Sequence, residues 1–408
     1  MLTPYTNRVE DAVEIATRKL AHEITPRGKR IYTKVAQRSI GMVILMTFAL
    51  DPKAVSNIRG GEVGLGISGM ANKGAAGLRF NYKGRDGEGK EEETELTFVA
   101  AHLAAMEGEL QRRNEDWANI VRGLVLTPIN SSVPDSKKRI TDGRTTESSE
   151  EREALISADV QEEGIFSPTS HLFLAGDLNY RTSTLKPAPD DHKDAFPQPH
   201  HLPSSPQNFR IYYEKDQLNA ERLAGRTCHG LSEFPVQFPP TYKYDSYDLT
   251  TSTHSIRDDE DITGWWAWAE HRWPSWTDRI LYLDLPSWLT DKYPSDQKPR
   301  IELGRYAALP LFETSDHRAV ALSCRIPLLP IPEPTEEERQ RYKSDVRINP
   351  AFEREPEWRA KRALARKEEL MAGCGMFLTS TWEGWFIVLG TLAGFVGGYF
   401  LLKAGFDV

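Results

Sequence analysis

The sequence predicts an α/β fold in which two packed mixed β-sheets and flanking helices form a four-layer sandwich. Apolar runs typical of buried strands recur along the chain, and helical patterns separate several of them. Polar clusters follow the ends of these strands, which is how α/β folds present side chains to solvent. The connections are long, a combination typical of helices lying outside packed sheets.

The elements can be assigned in chain order. Residues 8–23 have apolar residues at helical spacing, and residues 40–50 are an apolar run that predicts a buried strand. A helix at 107–126 carries Leu110, Trp117, Val121 and Leu124 on one face. The remaining predicted elements are strands at 62–67, 75–82, 96–102, 171–175, 279–283 and 319–326, with a helix at 209–224.

The chain divides into three predicted parts. Residues 1–330 form a catalytic domain, which we expect to be incomplete at its N-terminus. Within it, residues 128–166 are polar with few large apolar side chains, so we expect a disordered insertion. Residues 331–383 are highly charged and predict a helical stalk, and residues 384–403 predict a transmembrane tail anchor.

The tail-anchor prediction rests on the run from Trp385 to Leu402, whose 18 residues carry no charge. That length is just sufficient to span a bilayer core, and its shortness favours the thin membrane of the endoplasmic reticulum. Basic residues upstream place the catalytic domain in the cytosol. A buried core helix is the alternative. The spacing of Gly390, Gly394 and Gly398 predicts a weak transmembrane dimer, although small-residue filler explains it equally well.

Charge and cysteine usage exclude several classes of protein. The 408 residues carry a net charge of -8, which argues against a surface that binds nucleic acid. The three cysteines are far apart, so they predict neither a zinc site nor a disulfide framework. None has an arginine six positions later, which excludes a cysteine phosphatase.

Polar motifs at the strand ends carry the functional signal. The run from His171 to Ala175 is strand-like and leads directly into Gly-Asp-Leu-Asn at 176–179, which alone could be an ordinary turn. Taken singly, the other clusters also have structural explanations, such as a core histidine or a surface ion pair. They are Gly69–Gly74, Ala101–Ala105, Pro240–Asp245, Trp273–Leu281 and Thr314–Arg318.

Together and in this order, these motifs resemble the inositol polyphosphate 5-phosphatase family of the endonuclease/exonuclease/phosphatase superfamily. The resemblance covers about residues 30–326, and GDLNYR, PTYKYD, WPSWTDRIL and SDHR are its most specific parts. It implies a DNase I-like fold and Mg²⁺-dependent hydrolysis of a 5-phosphate by water. With the C-terminal run, the chain is similar to the fungal tail-anchored type, which implies phosphatidylinositol 4,5-bisphosphate as the substrate.

The resemblance also implies catalytic roles for five residues. Asp177 would orient or deprotonate the attacking water, and Asn179 would hold that water or a phosphoryl oxygen. His317 and Asp278 resemble the family's histidine–aspartate pair, in which the carboxylate fixes the imidazole tautomer. His102 would donate a hydrogen bond to a phosphoryl oxygen.

The resemblance also implies which residues contact the substrate and the metal. Tyr242 and Lys243 match positions that contact the 4-phosphate, while Arg272 and Lys73 add positive charge in an acidic protein. Asp316 would lie next to Mg²⁺, which prefers oxygen ligands. The implied substrate-binding set is Asn72, Lys73, Arg181, Tyr242, Lys243 and Arg272.

The sequence departs from the family pattern in places. The family's domain starts with a strand bearing an asparagine, then a strand with a Gln-Glu pair whose glutamate is the principal Mg²⁺ ligand; neither is found here. Residues 1–30 resemble the region just after that glutamate, so we expect a sheet without its first strands. Further departures are Met106 for a histidine, His271 for a lysine, and Ser275 and Thr277 for alanine and cysteine.

Two other functions stay open. A nuclease or sphingomyelinase of the same superfamily would share the Asp–Asn and Asp–His parts, but the acidic charge disfavours DNA and we expect no nucleic-acid partner. A membrane-tethered pseudo-phosphatase that binds phosphoinositide without hydrolysis would explain the missing glutamate.

Overall fold

The computed structural model describes residues 3–20, 31–66, 69–70, 72–85, 89–129, 162–245, 266–312 and 314–406. Most of the predicted insertion at 128–166 lies outside these residues. The last part of the insertion, from residue 162, is described, and the prediction of disorder is wrong there. Glu163 pairs with Leu126 in a β-bridge, and Ile165 is buried. Glu163 also forms ion pairs with Arg59 and the buried Arg79. Such partners cannot be recognised from local composition.

A seven-stranded mixed sheet forms the centre of the described fold. Its strand order is β6-β3-β4-β5-β7-β9-β8, and all pairs are antiparallel except β5 with β7. The strands of the described residues are β1 Thr33–Ile40, β2 Val43–Ala49, β3 Val55–Gly64, β4 Gly74–Arg85, β5 Glu91–His102, β6 Thr127–Pro128, β7 Ser170–Asp177, β8 Leu231–Ser232, β9 Asp278–Leu283, β10 Glu302–Ala308 and β11 Val320–Arg325.

The expected second large sheet is not found among the described residues. Two small antiparallel sheets stand in its place, β1 with β2 and β10 with β11. Each of these strands pairs only with its partner: β1 and β2 are joined across the turn at Gly41 and Met42, and β10 faces β11 over its whole length. The four-layer prediction is therefore met in its mixed central sheet and flanking helices, but not in two large sheets.

Helices cover the sheet and connect its strands. The helices are α1 Thr3–Leu20, α2 Leu110–Gly123, α3 Asp191–Asp194, α4 Phe209–Tyr212, α5 Gln217–Leu223, α6 Ser287–Thr290, α7 Glu336–Arg341, α8 Trp358–Ser380 and α9 Trp382–Phe406. The predicted apolar face of α2 is confirmed, since Trp117, Val121 and Leu124 are buried against the sheet. Burying such side chains contributes about 1.5–3 kcal/mol each, so this face fixes α2 beside the carboxyl end of β5.

The C-terminal region is not the continuous stalk that the charge pattern predicts. A short helix, α7, begins with a capping box formed by Thr335 and Glu338, and an irregular segment then leads to α8. Side chains of this region are buried against the domain, including Ile331, Arg347 and Trp358. We call residues 327–369 the C-terminal strap.

The α9 helix covers the whole of the predicted tail anchor at 384–403. In the described part of the chain, where the side chains of α9 are described as far as Tyr399, no helix is long and apolar enough to cross a membrane.

Candidate active site

Three neighbouring strands place three of the five predicted catalytic residues in a single row, and β4 extends that row. The register pairs Gly74 with His102, His102 with Asp177, and Asp177 with Asp278 across β4, β5, β7 and β9. Lys73 immediately precedes this row. Because paired residues in adjacent strands lie side by side, the pairing alone gathers a histidine and two carboxylates at one edge of the sheet.

The turn after β7 holds Asn179 against Asp177. The Asn179 backbone N–H and side-chain Nδ2 both donate to the Asp177 carboxylate, at 3.1 and 3.0 Å. Asn179 has φ 56°, a left-handed conformation that asparagine tolerates better than most residues. Gly176 has φ 143°, and a Cβ there would lie 2.0 Å from the Ala101 carbonyl oxygen. The Gly-Asp-Leu-Asn sequence is therefore required by the backbone as well as by the chemistry.

Arg181 supports Asn179 from behind. Its guanidinium donates to the Asn179 carbonyl at 3.0 Å and to Oδ1 at 2.5 Å, and it lies over the ring of Tyr242 at 4.5 Å. Only 2% of Arg181 is exposed. The structure thus places Arg181 as a residue that positions Asn179, in contrast to the predicted substrate contact.

The predicted histidine–aspartate pair is formed. His317 Nδ1 lies 2.9 Å from Asp278 Oδ2, which also accepts hydrogen bonds from Thr241 and Thr277 at 2.8 and 2.9 Å. Burial lowers the pKa of His317, but the hydrogen bond to Asp278 and the nearby carboxylates outweigh burial and raise that pKa above its usual 6.5. The pair therefore favours a protonated imidazole.

A lysine and a histidine face Asp177 from the other side. The Lys73 ammonium contacts His102 Nε2, which lies 3.3 Å from Asp177 Oδ2. Burial lowers the pKa of Lys73, and the Asp177 charge offsets this only in part. Lys73 and His102 thus place two nitrogen groups beside the carboxylate.

Asp316 and Lys243 complete the group at the rim. Lys243 Nζ lies 2.5 Å from Asp316 Oδ2, and His317 Nε2 lies 4.0 Å from the other Asp316 oxygen. Burial raises the pKa of Asp316, but the Lys243 hydrogen bond and the His317 charge outweigh it and keep the pKa below 3.8. A pocket of about 500 Å³ opens beside this pair, lined also by Tyr244, Asp245, Glu270, His271 and Thr314.

Two predicted substrate contacts lie apart from this cluster. Arg272 forms an ion pair with the buried Glu107 at 3.3 Å and contacts the Met106 sulfur. Asn72 Oδ1 lies close to the backbone of Gly66. Within the described residues, neither side chain contacts the catalytic row.

Sequence reasoning missed several supporting residues. Thr241 and Thr277 hold Asp278, although Thr277 stood out in the sequence only as a departure from cysteine. Asp116 is fully buried behind Lys73 and accepts hydrogen bonds from the Ala104 N–H at 2.9 Å and from Arg112 at 3.1 Å. Burial raises the pKa of Asp116 to about 6. Its position on the helix after His102 was the available signal.

The Mg²⁺ prediction stays a prediction. No group of three or more His, Cys, Asp or Glu side chains that could hold a metal ion occurs in the portion that the structure describes. Asp316 is engaged by Lys243, and Asp177 accepts from Asn179. Mg²⁺ usually keeps several waters and takes only one or two protein carboxylates together with substrate phosphates, so Asp316 stays its predicted ligand.

Comparison with known proteins places the chain in a family. A family model described as Endonuclease/Exonuclease/phosphatase family 2 matches residues 4–323. The chain belongs to this family. Type II inositol polyphosphate 5-phosphatase 15 of Arabidopsis thaliana is 26% identical over 321 residues, or 78% of this chain and 26% of the relative. Similarity to such proteins supports the inositol polyphosphate 5-phosphatase branch of the family.

Other relatives share the same kind of name. Inositol-1,4,5-trisphosphate 5-phosphatase 1 of Schizosaccharomyces pombe is 28% identical over 255 residues, or 62% of this chain and 17% of the relative. The chain thus spans about a quarter or less of the length of these family members. Among solved structures, the inositol polyphosphate 5-phosphatase domain of SPsynaptojanin, in complex with inositol (1,4)-bisphosphate and calcium ion, gives a TM-score of 0.43 at 22% identity, covering 88% of this chain and 76% of that domain.

Proposed function

We propose that the chain is a phosphoric monoester hydrolase that removes the 5-phosphate of phosphatidylinositol 4,5-bisphosphate at a membrane surface. The observation that carries the proposal is the row of His102, Asp177 and Asp278 across three strands, with His317 completing it. The names of the relatives, which are inositol 5-phosphatases, support the same reaction class.

The chemistry follows from the charges at the row. A water oxygen forms a bond to phosphorus while the bond from phosphorus to the C5 oxygen breaks. Asp177, oriented by Asn179, takes the proton of the water, and the protonated His317 donates to the departing oxygen. Asp278 holds the His317 imidazole in place, as a carboxylate partner does for a general acid. Lys73 and His102 donate to the phosphoryl oxygens, where negative charge concentrates.

The substrate preference rests on the rim of the site. Lys243 lines the 500 Å³ pocket, which has room for an inositol ring, and would supply a positive charge for the 4-phosphate, while Tyr242 packs against the Lys243 ammonium. Asp316 accompanies Lys243 in the free protein and would release it when a phosphate arrives.

Phosphate release from phosphatidylinositol 4,5-bisphosphate vesicles tests the proposal. The wild-type chain should release phosphate, Asp177→Ala should abolish release, and Asp190→Ala, which removes an exposed carboxylate, should leave it unchanged. No release from a folded wild-type chain would overturn the proposal. Parallel assays with added Mg²⁺ and with EDTA test the cofactor prediction, for which Asp316 is the candidate ligand.

A binding protein without hydrolysis is the second candidate. The Asp316–Lys243 ion pair favours it, because it occupies the carboxylate predicted to lie next to the metal. Vesicle binding that is retained while no phosphate is released would support this function.

The predicted endoplasmic reticulum location has a separate test. The full chain is imaged in cells beside a chain that ends at Thr381.

A further inference from the structure

A second cavity lies on the other side of the loop that carries Lys73. Its volume is about 650 Å³, and it is a cleft open to solvent that lies between α8 and the end of β3. Residues of the C-terminal strap form one wall; the end of β3, the β1–β2 turn and α2 form the other, so the cleft depends on the packing of the strap against the domain.

Positive charge exceeds negative charge at one end of this cavity. Arg362 and Arg366 both bond to the same Glu62 oxygen, the latter at 3.2 Å. Arg38 lies beside them, and its Nε is buried with no hydrogen-bond partner among the described residues. One carboxylate therefore serves two guanidinium groups, and a third lies close by. Burial and the charges of Arg366 and Arg38 lower the pKa of Arg362 to about 10.

The other charged groups of the lining do not neutralise this end. Glu355 is engaged by Lys361. Arg112 is engaged by Asp116 and the Leu65 carbonyl. Glu368 and Glu369 line the cavity two and three residues after Arg366 on α8, and Arg122 of α2 adds a further cation to the lining. The excess of guanidinium groups is confined to the surroundings of Glu62.

We propose that this cavity is a second phosphate-binding site, separate from the active site, in which Arg362 and Arg366 bind a multiply charged phosphate and Arg38 adds positive charge from beside the lining. Guanidinium groups match phosphate oxygens in geometry and charge. The ligand is either a free phosphate compound or a lipid headgroup, since both present the same chemistry. Leu65 links the two sites, because its N–H donates to the Lys73 carbonyl at 2.8 Å and its carbonyl accepts from Arg112.

A purely structural role makes the opposite prediction for Glu62. If the arginines only fasten α8 to β3, removing the carboxylate loosens the strap and weakens any anion binding. If they form a phosphate site, Glu62 competes with the ligand, and Glu62→Gln tightens binding. This variant therefore separates the two roles and does not depend on removing an arginine.

Calorimetric titration of the full chain with inorganic pyrophosphate tests the proposal. All proteins carry Asp177→Ala, so catalysis has no part in the readout, and Lys73→Gln with Lys243→Gln is added to weaken anion binding at the active site. On this background, Arg362→Gln with Arg366→Gln should weaken binding about tenfold or more. Glu62→Gln should tighten it.

A matched control removes the same charge elsewhere. Arg339→Gln with Arg341→Gln, on the exposed α7, should leave the affinity for pyrophosphate unchanged. Thermal unfolding of each variant with and without pyrophosphate reports folding and gives an independent measure of binding, since a ligand stabilises the state that binds it. Phosphatidylinositol 4,5-bisphosphate vesicles, used in a sedimentation assay with the same variants, distinguish a lipid headgroup from a free phosphate.

Equal affinities in the Arg362/Arg366 pair and the Arg339/Arg341 pair would overturn the proposal, as would weaker binding in Glu62→Gln. Because no arm measures hydrolysis, these outcomes are independent of the proposed phosphatase activity. Arginine-dependent binding of pyrophosphate in a chain that releases no phosphate would retain this site and reject only the catalytic proposal.

Discussion

The hydrogen bonds of Asp278 show which parts of the site could be predicted from the sequence and which could not. Its Oδ2 accepts from Thr241, Thr277 and His317. The sequence alone predicted the His317 pair through the family resemblance. The two threonine donors could not be predicted, because Thr241 lies 37 residues away in the chain and only the folded loop brings it to Asp278.

Replacing Asp278 tests the role of this carboxylate. Asp278→Asn keeps the size of the side chain but removes the charge that favours protonated His317. We expect kcat for 5-phosphate release to fall about a hundredfold or more, while KM changes little. Asp190→Asn is the matched control at an exposed carboxylate, and a normal kcat in Asp278→Asn would contradict the assigned role.

The raised pKa of His317 predicts a pH-dependent stability. A histidine whose pKa is higher in the folded than in the unfolded state stabilises the protein below the unfolded pKa of about 6.5. That contribution is lost as the pH rises through the folded pKa. Urea unfolding should therefore show a larger deficit for His317→Gln at about pH 5.5 than at about pH 8.5; an equal deficit at both would contradict this expectation.

At the scale of elements, local patterns predicted β2, β4, β5, β7, β9 and β11 and the end of β3, but they did not predict β1, β6, β8 or β10. The strand before Asp177, the helix after His102 and the last strand lie where the apolar runs place them. The pairing of β10 with β11 as a separate sheet was not predicted, since pairing depends on contacts between distant segments. Arg79 is fully buried with Glu163 as partner, and no periodicity marks such a network.

Gly176 gives a prediction about the β7 turn. Gly176→Ala introduces a Cβ that would lie 2.0 Å from the Ala101 carbonyl oxygen, and it also places alanine at φ 143°. We expect the free energy of unfolding to fall by about 2 kcal/mol or more. Gly225→Ala is the control, because Gly225 also has positive φ but its Cβ would meet nothing within 4 Å. A similar loss in both variants would show that backbone strain alone matters.

At the scale of the whole molecule, the strap changes the domain boundary. Charge and prolines predicted that the fold ends near residue 330, whereas Trp358 is 8% exposed and donates to Glu162 at 3.0 Å. A highly charged composition does not reveal such packing, because a few buried side chains are sufficient to hold a charged segment against the domain.

The stability of the molecule should depend on this contact. Trp358→Ala removes a buried aromatic side chain, and we expect the free energy of unfolding to fall by about 3 kcal/mol. Trp382→Ala, at a residue that is 74% exposed, should change it by less than about 0.5 kcal/mol. Denaturant titration of both variants makes the comparison, and equal effects would argue against a packed strap.

The ion pairs between Glu62 and the arginines of α8 also set an order of events during synthesis. These partners are 300 positions apart in the chain, and ribosomes add roughly 5–20 residues per second. On the order of 15–60 s therefore pass between the synthesis of β3 and the synthesis of α8. During this interval the nascent chain exposes the Glu62 carboxylate without its arginine partners, and the surface that α8 later covers is open to other molecules.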